Sequence, residues 1–382
     1  MRIQARIRAG VPAISKAVYH RLRFAAHDPA VCIDLLNPTP RTIVIVRDVE
    51  LERARKIVKN ARVYTPKDFA PAEGLSGDRE IATAQAAVEC LRRNAVQHAA
   101  GDRSLPLLYV ALAREAGIEI ELDPDLGVTE RRRKDEQEVS HLRTCQQVTE
   151  SAIRFACETI ARATPNREGV LQHDGADLTA DIVRRMIDLH LMDRGFASDD
   201  SIIAPGPIGA DCHHPGEGVI RTGVPVIVDV FPRDKNTLYN GDCTRTVVHG
   251  DIPDTVLCMH AIVKEAKLAA ERATRAGVTG DSVHRATVEV LKRHNIHIGF
   301  APPDAPDDLI FIPHGTGHGI GLDLKEPPLL DFNGVELLAG DCVTIEPALY
   351  CKSIGGVRIE DMYIVRADGA ENLNTLQDGL RW

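Results

Sequence analysis

A chain of 382 residues, 44% of them apolar, can bury more than one core, so two domains are the expectation. The net charge of −9, with no long basic block, excludes nucleic acid as the main partner. No apolar run reaches the length of a membrane span, so a membrane partner is excluded too. Nine cysteines without a CxxC pair read as free thiols in a reducing, cytoplasmic compartment.

The first 27 residues carry six Lys or Arg and no acid, a weak transit-peptide pattern without an apolar core. An ordinary first helix is the preferred reading. Residues 1–130 then alternate in an α/β pattern. RTIVIVR (41–47) predicts a strand, residues 49–61 a helix and ARVYTP another strand. Residues 78–100 predict one long Ala-rich helix. SLPLLYVA and IEIELDP predict the closing strands. No glycine-rich phosphate loop follows a strand, so this domain is assigned no cofactor. RRRKDEQE, near the domain boundary, reads as a solvated helix start rather than a nucleic-acid patch. The second domain, 131–382, opens with a helix from Glu136 to Ala163, closed by Pro165.

Residues 177–196 and 281–300 are equal-length helical segments that begin with Asp and end with Gly-Phe. Each precedes a hairpin-like stretch holding two acids. The first, GVPVIVDVFPRDKNTLYNGDCTRTVV, carries Asp229 and Asp242. The second, GDCVTIEPALYCKSIGGVRIEDMYIV, carries Glu346 and Glu360. A helix and a hairpin used twice imply two related halves facing each other, with two acids from each. Paired antiparallel strands can put both acids of a hairpin on one face. Four half-buried carboxylates need cations, and Lys and Arg are scarce on these strands. Divalent metal is therefore expected. Oxygen-rich ligands with imidazole suit a two-ion site and favour manganese, with cobalt, iron or zinc as alternatives. The glycine-rich HGTGHGIGLDLKEPP, between the hairpins, holds His314 and His318.

DCTRT, HGTGHGIG, TIEPALY and GGVRIED resemble motifs of the pita-bread metallopeptidases, most closely the aminopeptidase P and prolidase branch. The resemblance covers roughly 135–380. It implies an α+β fold, with a pita-bread catalytic domain after a smaller creatinase-like α/β domain. It implies Asp229, Asp242, His318, Glu346 and Glu360 as ligands of two divalent ions. It further implies Glu346 as base and proton shuttle, and His213 as a substrate contact that steadies the transition state. His214 is a competitor for that role. His314 is implied to contact substrate or a ligand, and Arg358 to hold a substrate carboxylate or a neighbouring acid. The implied activity is hydrolysis of the bond before proline, in Xaa-Pro dipeptides or at a peptide N-terminus, by a homodimer.

Three departures from the family stand out. Asp229 and Asp242 are two residues further apart than usual, as though PRDKNT lengthened the hairpin tip. An even insertion keeps both side chains on one face. Ile208 stands where an Asn is usual. Lys325 replaces a histidine seven residues after His318. A lysine there can donate to an oxyanion but cannot copy neutral imidazole. The alternatives are therefore a same-fold hydrolase of a non-peptide C–N bond and a catalytically weak binding homologue.

Overall fold

The computed structural model describes residues 2–198 and 200–382, in two compact units, Met1–Arg131 and Arg132–Trp382.

The first unit is a three-layer α/β body. Its strands are β1 (Ala5–Gly10), β2 (Ala30–Leu35), β3 (Arg41–Ile45), β4 (Arg62–Tyr64), β5 (His98–Gly101) and β6 (Glu119–Leu122), in the order β4-β3-β2-β1-β5-β6. Its helices are α1 (Lys16–Leu22), α2 (Leu51–Ile57), α3 (Arg79–Arg93) and α4 (Leu107–Glu115). Alternation along the strands sorts their side chains to two cores. Ile33, Ile43 and Ile45 pack with residues of α3 and α4, while Cys32 and Val44 pack with residues of α1 and α2.

Three expectations for this region are corrected. The first stretch is not simply a helix: residues 5–10 form β1, inside the sheet between β2 and β5. The α3 helix stops at Arg93, because Ala95 turns left-handed at φ 54° and the chain re-enters the sheet as β5. SLPLLYVA is not a strand. It begins α4, with Pro106 at the N-cap and Tyr109 and Ala113 buried one turn apart. That i, i+4 spacing is helical; the short apolar run concealed it.

Short α5 (Val128–Arg132) precedes α6 (Glu136–Arg162). Asp135 caps α6 in a reciprocal capping box with Glu138. Strands β7 (Thr164–Pro165), β8 (Leu171–His173) and β9 (Ala176–Asp177) form a small sheet before α7 (Ala180–Asp193). Next come β10 (Phe196–Ala197), β11 (Ile202–Pro205), β12 (Pro225–Val230), β13 (Arg233–Asp234) and β14 (Cys243–Val248). The second half opens with α8 (Asp254–Ala273) and α9 (Gly280–Arg293), then β15 (His297–Ile298) and β16 (Ile310–Ile312). It continues with β17 (Gly317–Gly319), β18 (Glu326–Leu330), β19 (Cys342–Ile345), β20 (Ala348–Cys351), β21 (Gly355–Arg358), β22 (Asp361–Val365) and β23 (Ala370–Asn372).

The two-fold repeat is present, in a different register from the Gly-Phe match. Thr179 and Thr279 are equivalent N-caps, each accepting from the N–H three residues on, and both helices run 14 residues. Left-handed Gly195 after α7 therefore corresponds to left-handed Asn295 after α9, not to Gly299. Both positions end a helix where a positive φ is needed.

Candidate metal centre

The first hairpin pairs β12 with β14, antiparallel, with Asp229 opposite Thr244. Asp242 lies two residues before Thr244, so it shares the face of Asp229. The second hairpin pairs β19 with β22 and β20 with β21. Its ladder breaks between Ile345↔Asp361 and Ala348↔Arg358, and Glu346 and Glu360 sit at that break. The two hairpins meet at an isolated bridge between Thr244 and Glu360.

His318 is the middle residue of β17. Its Nδ1 lies 3.0 Å from the carbonyl of Gly319, so Nδ1 donates and Nε2 is left as an acceptor. Nε2 lies 3.8 Å from Asp242 and 3.5 Å from Glu346. A Cβ on Gly317 would sit 2.0 Å from the carbonyl of Thr344, so only glycine lets β17 lie this close to β19.

Asp242, His318 and Glu360 each bring a donor atom within 4.8 Å of the others. Asp229 and Glu346 line the same cavity of 280 Å³. Burial and the charges of Asp229 and Glu346 push the Asp242 carboxyl well above the usual carboxylate range. Burial, Asp242 and Glu346 do the same to Glu360. Glu346 is raised by burial, against the pull of His314 and Arg358. Burial pushes His318 down to about 4.

Among the described residues, Arg358 is the cation bonded into this group. Arg358 donates from Nη2 to Asp229 Oδ2 at 2.6 Å, from Nη1 to Tyr350 Oη at 2.9 Å and from Nε to Thr244 Oγ1 at 3.2 Å. Burial would lower its pKa, but Tyr350, Asp229, Glu346 and Glu360 hold it above the usual guanidinium range. Of the two partners expected for Arg358, the neighbouring acid is present as Asp229. The scarcity of basic residues on these strands is thus not complete. A single guanidinium still faces four carboxylates, and Asp229 Oδ1 remains buried without a partner. Orphaned carboxylate oxygen, mutually raised acids and a neutral imidazole with a free Nε2 fit divalent cations.

His314 and His213 also line the cavity. His314 Nδ1 lies 2.8 Å from Gly315 O and Nε2 lies 2.9 Å from Tyr350 Oη. Burial lowers its pKa, so it is neutral, donating to Gly315 and accepting from Tyr350. His213 is exposed in the loop after β11. His214 instead accepts the Gly216 N–H at its Nδ1, 3.0 Å away, and does not line the cavity. Lys325 is exposed and lines the cavity beside Leu324. The PRDKNT tip forms β13, which pairs with β10.

Sequence reasoning did not single out Thr244 or Tyr350. Thr244 Oγ1 donates to Glu360 Oε2 at 2.7 Å, and Tyr350 connects Arg358 to His314. Both lie an even number of residues from an acid, Asp242 or Glu346, and period two was the signal that could have found them.

The fold and site define a pita-bread protein with a carboxylate-rich cluster that could hold a metal ion. The chain belongs to metallopeptidase family M24, whose model matches residues 140–367. That membership implies divalent metal ions. Among curated proteins it is 33% identical over 201 residues to "Probable dipeptidase PepE" of Mycobacterium tuberculosis (strain H37Rv), covering 52% of this chain and 49% of that protein. It is 27% identical over 245 residues to the Xaa-Pro dipeptidase of Pyrococcus furiosus, covering 63% of this chain and 62% of that one. The chain thus spans about half to two-thirds of the length of these relatives. The Xaa-Pro dipeptidase from Bacillus anthracis shares its fold at a TM-score of 0.79 and 23% identity, covering 99% of this chain and 95% of that one. So does the X-Pro aminopeptidase from Thermotoga maritima MSB8, at 0.78 and 20%, covering 99% and 97%.

Proposed function

We propose that this chain is a binuclear metallopeptidase that hydrolyses the bond before proline, in Xaa-Pro dipeptides or at the N-terminus of longer peptides. The carrying observation is the convergence of Asp242, His318 and Glu360, with Asp229 and Glu346, on one cavity of an M24 chain. The specificity for proline is carried over from the names of the relatives. Asp229, Asp242, His318, Glu346 and Glu360 would hold two divalent ions, manganese first. Such ions supply a water acidified towards neutrality and polarise a carbonyl.

The chain's residues do the rest. Glu346 takes the proton of the attacking water at its carboxylate and returns it to the leaving prolyl nitrogen as the C–N bond breaks. His213 and Lys325, both exposed on the cavity wall, donate to the developing oxyanion. His314 contacts the substrate by exchanging its bond to Tyr350. Arg358 holds Asp229 in place, leaving that acid's second oxygen for metal. The division at 130/131, a creatinase-like domain in residues 1–130, a homodimer and a cytoplasmic setting belong to the same reading. All nine cysteines are free, and no helix among the described residues is long and apolar enough to cross a membrane.

The test is hydrolysis of Xaa-Pro dipeptides and longer Xaa-Pro peptides by chelated protein reloaded with manganese, beside Lys325→His. Metal-dependent release of the first residue by wild type is expected, and the preferred length separates dipeptidase from aminopeptidase. If only the variant cleaves, Lys325 has moved the native substrate elsewhere. If neither cleaves, the non-peptide amide reading replaces this one.

A further inference from the structure

Asp242 lies one residue before β14, so the β-ladder satisfies neither its N–H nor its C=O. Gln146, on α6 and fully buried, supplies both partners. Its Nε2 donates to Asp242 O at 2.7 Å, and its Oε1 accepts the Asp242 N–H at 3.1 Å. The same Nε2 donates to Asn374 Oδ1 at 2.9 Å. Asn374 Oδ1 also accepts the N–H of Met362 at 2.8 Å, two residues beyond Glu360. Two side-chain amides therefore link the backbone at Asp242 to the backbone just past Glu360, from opposite halves of the repeat. Neither amide lines the cavity.

The fit around this link is close. A Cβ on Gly241 would lie 2.2 Å from Thr149 Oγ1 and 3.0 Å from Cys145 O, so α6 lies directly against the chain before Asp242. One turn on, Glu150 accepts the N–H groups of Thr375 and Leu376 at 2.6 and 2.8 Å. Glu150 holds the C-terminal segment without touching Asp242. It provides an internal control.

We propose that Gln146 and Asn374 are positioning residues of the metal centre: a paired-amide clamp that sets the separation of Asp242 and Glu360. The proposal rests on the metal-centre reading. The physical reason is that Asp242 and Glu360 bring carboxylate oxygens within 4.8 Å of each other, where like charges repel. Without a ladder bond at Asp242, that repulsion would widen the site before any ion binds. An amide pair without net charge resists the widening and adds no charge of its own.

The experiment titrates chelated full-length protein with cobalt(II), reading the isotherm and the visible ligand-field spectrum, with thermal unfolding in parallel. Gln146→Met keeps bulk and loses both bonds; its cobalt affinity should fall roughly tenfold to a hundredfold, with a changed spectrum. Asn374→Leu should do the same. Asn374→Asp keeps both acceptors and should restore the wild-type spectrum. Glu150→Gln should lower the unfolding temperature and leave isotherm and spectrum unchanged. Wild-type affinity and spectrum in Gln146→Met, whatever its stability, would overturn the clamp. Equal loss of affinity in Glu150→Gln would overturn it as well, because general loosening would then suffice. A wild-type chain that takes up no cobalt would sink the metal-centre reading, and the clamp's role with it.

Discussion

Arg358 is the residue on which the charge balance of the site turns. Its side chain is buried and bonded to Asp229, Tyr350 and Thr244. Removing one partner of a buried pair leaves the other charge uncompensated, at a cost of about 3–5 kcal/mol. Urea unfolding of metal-free Arg358→Met should show a loss of that order. The loss should shrink once manganese is added, because metal gives Asp229 another cation; an undiminished loss would mean that Asp229 binds none. Thr244 poses a finer question. Its hydroxyl donates to Glu360 and accepts from Arg358, so it orients an acid and a guanidinium together. Thr244→Val keeps the shape of the side chain and should weaken manganese binding roughly tenfold to a hundredfold by isothermal titration.

At the scale of elements, β1 shows how a charged strand becomes internal to a sheet. Ala5, Ile7 and Ala9 are fully buried, and Arg8 is only 3% exposed. Arg8 is tolerated because Asp34 on β2 meets it at 2.8 Å, while Arg21 and Thr42 hold the other oxygen of Asp34. Burial would raise the Asp34 pKa, but the hydrogen bonds of Arg21 and Thr42 and both guanidinium charges bring it below the usual value. A carboxyl depressed in the folded state binds fewer protons there than when unfolded. Its contribution is complete above the unfolded pKa of about 3.9 and is lost as pH falls through the folded value. Asp34→Asn should therefore melt below wild type at pH 7, and the two should converge as pH falls below about 3.9. A gap that stays constant with pH would refute this account.

At the scale of the molecule, the centre is a liability to the metal-free chain. Asp242, Glu346 and Glu360 all have proton affinities raised in the folded state. Stability from such groups is complete below their unfolded values and is lost as pH rises through the folded ones. Chelated protein should consequently lose melting temperature as pH rises from the acid side. Manganese should reverse the loss, and its stabilising effect should grow with pH, because binding displaces protons. At a free concentration 100 times the dissociation constant, a site bound only in the folded state adds about 2.7 kcal/mol. Differential scanning calorimetry with and without metal, from pH 5 to 8, measures the gap. A gap that narrows with rising pH would count against cations in this site.

The sequence by itself determined the pattern of two hairpins with paired acids, because period-two alternation fixes the face of each side chain. It also determined α6 and the helices α7 and α9, whose apolar spacing runs over several turns. It misjudged SLPLLYVA, the end of α3 and the first stretch, where short apolar or basic runs fit either state and packing makes the choice. Tertiary structure alone decided which acid Arg358 meets, since Asp229 lies 129 residues away. It alone shifted the repeat from the Gly-Phe match to Thr179 and Thr279, because a helix is registered by its cap and not by the loop after it. It also brought Gln146 to Asp242 across 96 residues. Hydrogen bonds between distant side chain and backbone carry no local periodicity, so nothing in the order of residues announced that contact.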